Sequence, residues 1–190
     1  MKNKLALAAL LALAACLHPE PVEPQDNLAE KNYRIMGPKG DIRADLALEV
    51  ADTDAARLSG LMGRAELLPE TGMLFVFDAP DYWSMWMKNT MIPLDMLFVN
   101  DAGRITAIAP NRKPFSTDYI TPCTVEYEKR RAIAKDQPID IDSFYDECEA
   151  RFARRNPDAT RSVIELPAGD AKRYGVRIGD QLIPLPPKGE

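Results

Sequence analysis

The stretch that most constrains this chain is residues 83–100, WSMWMKNTMIPLDMLFVN, where two Trp, four Met, one Lys and one Asp crowd together. It reads as two strands, 83–87 and 93–99, joined by the polar turn Lys88-Asn89-Thr90. A hairpin this apolar must be buried in a larger sheet, and the neighbouring segments supply one. Residues 72–78, GMLFVFD, are a continuous apolar run bounded by turn residues, the pattern of a buried strand. After Asn100-Asp101-Ala102-Gly103, a turn ending in Gly, residues 104–109 give another strand. These short-turned strands predict a meander that closes on itself.

Upstream, residues 33–36 are a short strand candidate. Over residues 42–50, Ile42, Ala44, Leu46, Leu48 and Val50 alternate with Arg43, Asp45 and Glu49, which predicts a strand with one wet face. In DTDAARLSGLMGR, Asp52 or Thr53 can cap a short helix. Its stripe is Ala55, Leu58, Leu61 and Met62, with Gly63 at the left-handed end. Downstream, residues 114–142 show no sustained period. Residues 143–156 read as a helix with Phe144, Cys148 and Phe152 on one face, stopped by Pro157. The chain resumes with a strand at 163–166, a helical turn or two at 168–174 and a last strand at 180–183; residues 186–190 are a tail. Sixteen Pro and ten Gly agree with a turn-rich, mostly β body. The expected fold is mostly β with short helices (α+β), a small closed or partly open antiparallel β-barrel over residues 33–185. It carries a helical insertion at 123–158.

The first residues belong to targeting rather than folding. Lys2 and Lys4 precede a short apolar run at 5–15, too brief to span a bilayer. The run ends in Leu13-Ala14-Ala15-Cys16, which resembles the lipobox of bacterial lipoproteins. That resemblance implies removal of residues 1–15 as a signal peptide and acylation (palmitate among the chains) of Cys16, anchoring the protein by hydrocarbon burial. Leu17 rather than Asp follows, which by the same resemblance favours the inner leaflet of the outer membrane, facing the periplasm. Residues 16–32 include HPEPVEPQDN, a Pro-rich polar stretch read as a tether. His18, the single histidine, lies there, so no histidine-based triad or metal site is available to the body. With Cys16 acylated, Cys123 and Cys148 are an even pair in an oxidising compartment. A disulfide pinning the insertion is expected, with two separate thiols or a soft-metal pair as alternatives. The net charge of −5 opposes nucleic-acid binding.

Four blocks occur together and in order: LALEVADTDAARLSGLMGR, GMLFVFD, WMKNTMIPLDMLFVNDAGRI and VIELPAGDAKRYGVRIGD. They resemble the bacterial and archaeal family called domain of unknown function 192 across residues 46–180, apart from the insertion. The resemblance implies a compact, mostly antiparallel β-barrel with short helices, often exported, and no assigned activity.

The polar residues that a function would use are Arg64, Trp86, Lys88, Asn89, Thr90 and Asp95, with Glu165 as an addition. Asp95 stands in an apolar strand, where an unpaired carboxylate costs several kcal/mol, so Arg64 or Lys88 is its expected partner. One reading is a structural ion pair, with Asn89 and Thr90 serving the turn. The other is a polar mouth that binds a ligand. An aromatic face beside Lys, Asn and Asp suits a glycan or cell-wall material, bound by a monomeric, non-catalytic accessory module. A hydrolase would use Asp95 with Glu165 as paired carboxylates. A periplasmic Cu(I) protein would use Met85, Met87 and Met91, with Met96, Met62 and Met73 near, although methionine is more commonly core filling. No nucleophile elbow and no phosphate-cradling Gly loop is present, and no cofactor is expected.

Overall fold

The computed structural model describes residues 22–116, 120–134, 139–140, 144, 148 and 158–187. The strands are β1 (Glu30–Met36), β2 (Ile42–Ala51), β3 (Thr71–Asp81), β4 (Leu94–Asn100), β5 (Ile105–Arg112), β6 (Thr160–Pro167) and β7 (Gln181–Pro184). The helices are α1 (Asp54–Ser59), α2 (Pro122–Ala134) and α3 (Asp170–Arg173). All seven strands form one sheet in the order β5-β4-β6-β3-β2-β1-β7, a curled half-barrel in an α+β fold. Its edge strands touch at one end: Arg104 bridges Gln181, and the Leu182 N–H donates to Gly103 O at 2.8 Å. The barrel is thus partly open.

The order corrects the expected meander. β6, which comes late in the chain, lies between β3 and β4 and pairs antiparallel with both. β2 and β3 run parallel because the connection through α1 returns the chain to its starting end. Residues 83–87 are not a ladder strand, since β2 and β6 already occupy both edges of β3. The segment crosses the sheet face and, among the described residues, makes one isolated bridge, Met85 with Ile120. Its alternating apolar side chains are plugs: Met85 and Met87 are buried, and Trp83 stacks on Phe77 with centroids 4.4 Å apart.

The sheet buries both faces. Ile35, Leu46, Leu48, Leu74, Leu97, Val99, Ile105, Ile164 and Leu166 come from β1 to β6, and Leu182 of β7 packs against them. A core to which every strand contributes is the concave interior of the half-barrel, and Ala171 of α3 joins it. Met73, Phe75, Phe77, Met96, Phe98 and Val163 form a second core on the convex face. It is covered by α1, by residues 83–92 and by Val125 of α2.

α2 falls in the stretch where no period was legible. Only Pro122, Cys123 and Val125 of α2 are buried, and the rest is polar or, as at Ile133, apolar but exposed, so no buried apolar stripe runs along it. Its start is nonetheless encoded. Thr121 N–H donates to Thr124 Oγ1 (2.8 Å) and Thr124 N–H donates back to Thr121 Oγ1 (3.1 Å), with Pro at the first helical position. Cys123 and Cys148 form the expected disulfide, Cα atoms 5.8 Å apart. The helix expected at 143–156 lies outside the described residues except for Phe144 and Cys148, both buried. The expected tail lies outside them too, except residues 186–187.

Candidate functional site

On the convex face, between α1 and the 83–92 segment, lies a crevice of about 20 Å³, room for roughly one water. Arg57, Met62, Met85, Trp86, Lys88 and Thr90 are among the residues lining it, and Glu165 opens into it. The two walls are clasped by backbone. α1 is capped by Thr53, whose Oγ1 accepts from Ala56 N–H at 3.2 Å. The chain then turns through Gly60 and Gly63, both at positive φ. Gly63 N–H donates to the carbonyl of Asn89, 3.0 Å away, and Asn89 holds φ 54 to present it. The Asn89 amide nitrogen also lies 4.0 Å from Met62 Sδ. The polar turn of the sequence is therefore a clamp between two loops.

Glu165 is the chemically unusual residue. In β6 it stands in register with Met73 of β3 on one side and Met96 of β4 on the other. It is 3% exposed, and among the described residues no hydrogen bond or ion pair reaches its carboxyl. Burial alone pushes its pKa up to about 8, so at neutral pH it is mainly the neutral acid. It can then donate one hydrogen bond and accept others.

Asp95 does not belong to this crevice, and the expected pairing with Arg64 or Lys88 is overturned. Its strand partner is Leu166 of the concave core, so it faces the opposite side of the sheet from Glu165. Its carboxylate accepts from the N–H groups of Asn111 (2.8 Å), Gly169 (2.9 Å) and Ala171 (3.0 Å). Three backbone donors are what a buried carboxylate needs, and they tie β4 to β5 and to the start of α3. The carboxylates of Asp95 and Glu165 therefore do not face a common space.

Arg64 makes a two-pronged pair with Glu49, Nη2 to Oε2 at 2.6 Å, and Nη2 also donates to Gln25 O at 3.0 Å. Gln25 in turn donates from Nε2 to the carbonyls of Ala56 (3.0 Å) and Gly60 (2.7 Å). Of the described part of the expected tether, residues 30–32 open β1 and are not tether, and residues 22–29 run beside the crevice wall. No sequence signal marks Gln25 for that role. Lys88 is exposed, its ammonium 5.4 Å from the Trp86 ring centroid. Trp86, Lys88 and Thr90 meet at the crevice; Asn89 and Arg64 brace it. Met85 and Met87 are buried while Met91 is 42% exposed, so these three thioethers do not share one environment. Among the described residues no three of His, Cys, Asp or Glu group to hold a metal.

The family described as "Uncharacterized ACR", domain of unknown function 192, matches residues 36–183. A solved protein from Sinorhizobium meliloti 1021, described as a candidate transcription regulator, is 32% identical. The match covers 84% of this chain and 97% of that one, with a TM-score of 0.62. A protein of unknown function from Novosphingobium aromaticivorans DSM 12444 is 28% identical over 89% of this chain and 95% of its own, with a TM-score of 0.60. No curated protein matches.

Proposed function

The chain belongs to the domain of unknown function 192 family, and from that premise we propose that it is a non-catalytic binding module of the bacterial envelope, held to a membrane by acylated Cys16. Its ligand sends one hydroxyl or carbonyl onto Glu165 and rests its remaining bulk on Trp86 and Lys88. The observation that carries this reading is the neutral, unpartnered Glu165 carboxyl at the floor of a crevice with room for about one water. A buried polar group without a partner calls for one, and a ligand oxygen would serve. The crevice is too small to enclose a sugar ring, but a sugar lying outside it meets an aromatic face, an ammonium and a directed hydrogen bond. Glycan or cell-wall material is the preferred class.

Two carboxylates turned to opposite faces give no support to a glycosidase-type hydrolase. The regulator description of the Sinorhizobium protein is not carried over, because a net charge of −5 opposes binding to DNA.

The test is a thermal-shift series of the wild-type protein and Glu165→Gln against peptidoglycan fragments and soluble glycans. The expected result is stabilisation of the wild-type protein that Glu165→Gln weakens and that fades above pH 8. A flat response to every fragment would remove the reading.

A further inference from the structure

We infer that the crevice face lies against the surface of the membrane that carries the acyl anchor, so that the site is presented to ligand at the bilayer and not to the open periplasm. This rests on the anchorage part of the reading above.

Had the tether stayed free up to residue 32, the body would face the membrane in any orientation. It does not stay free. Gln25 is fixed by two carbonyls of the α1 turn and by Arg64. Gly63 has no room for a side chain because Val22 O and Pro24 N lie against it. From Val22 onward the chain is therefore pinned to the crevice wall. Only five residues lie between Cys16 and Val22, and the six steps reach at most about 22 Å when fully extended. A tether this short brings the anchor out on the side of the body where Val22 and Gln25 are held.

The side chains around the crevice suit that position. Leu58 lines it and is 63% exposed. Met91 follows Thr90, and Phe115, 61% exposed, is tied to Thr90 by its own N–H (3.1 Å to Thr90 O). Val22 adds a fourth exposed apolar group on the strap. Single exposed apolar residues are ordinary; here one lines the crevice, two lie beside its Thr90 and one sits on the strap against Gly63, an arrangement that suits an interfacial face. Lys88 and Arg57 are the cations lining it, and Asp54 and Asp78 flank Arg57 on the α1 side. With both signs present, contact is driven by apolar burial rather than by lipid charge.

The experiment uses the full-length protein isolated with its acyl chains, in phosphatidylcholine vesicles with plain or brominated chains. Trp83→Phe leaves Trp86 as the only indole and keeps the stack on Phe77. Brominated lipid is expected to cut Trp86 emission by about half, since an interfacial face sinks roughly 5–10 Å into the headgroup boundary. Adding Leu58→Asp and Phe115→Asp is expected to restore the emission while the protein still sediments with the vesicles. An acylated, vesicle-bound protein whose emission ignores bromine overturns the inference and leaves the anchorage standing. A protein with no acyl mass on Cys16 and no vesicle binding overturns both.

Discussion

Asp95 and Glu165 lie on neighbouring strands, one residue out of step, and turn their carboxyls to opposite faces of the sheet. The one on the concave side is satisfied by three backbone donors; the one on the convex side has none among the described residues. The same functional group is held by backbone donors at one position and stands without a described partner at the other.

Replacing Asp95 by Ala strands three buried N–H groups. The expected cost is about 3–5 kcal/mol, because hydrogen bonds to a charged group are the strong ones and the orphaned donors keep their desolvation penalty. Denaturant unfolding measures it. The fraction that remains folded should still respond to a crevice ligand; loss of that response in a well-folded protein would place Asp95 in the site after all.

Glu165 makes stability depend on pH with a definite sign. Its native pKa of about 8 lies above the ordinary value of 4.5. Below pH 4.5 both states hold the proton and its stabilising effect is fully present. Between 4.5 and 8 the unfolded chain releases the proton while the native one retains it, so stability falls as pH rises. Above 8 the loss is complete. The span is roughly 3–5 kcal/mol. Glu165→Gln should flatten this slope, so that the variant gains on the wild-type protein from pH 5 to 8. Parallel unfolding curves for the two proteins over that window would show that the carboxyl is already partnered.

Gly63→Ala should loosen the strap. The backbone there holds φ 74, which costs an L residue roughly 1–2 kcal/mol, and the new methyl group meets Val22 O. Hydrogen exchange in residues 22–29 is expected to speed up by an order of magnitude, while exchange in β3 and β6 stays slow. Equal protection in both proteins would mean the strap does not depend on this contact.

Reducing the Cys123–Cys148 bond, or replacing both residues by Ser, releases α2 from the segment beyond it. The chain-entropy relation for a separation of 25 residues gives about 3–4 kcal/mol, or roughly 6–16 °C in Tm. The sheet should survive, since its ladders do not pass through the bond. Circular dichroism with and without reductant tests both statements.

Much of this was legible from residue patterns. Ile42 to Val50 announced β2 by alternation, and MLFV runs announced β3 and β4, because burial leaves a period in the sequence. Cys123 and Cys148 followed from counting. What was hidden is pairing. Nothing local in 160–167 says that it inserts between β3 and β4, and without that knowledge 83–87 looks like a strand rather than a cover. Asp95 was rightly marked as needing partners, but a charged partner was expected where backbone amides from 111, 169 and 171 serve. Backbone donors carry no residue-type signature. The strap was illegible for the same reason: Gln25 acts through carbonyls that any sequence possesses.

The place of β6 has a consequence for how such a chain is made. The middle of the sheet is supplied by one of its last segments, so ladders on either side stay incomplete until synthesis is almost finished. Contacts this distant along the chain form slowly. A sheet whose central strand arrives this late cannot lock until nearly the whole polypeptide is available.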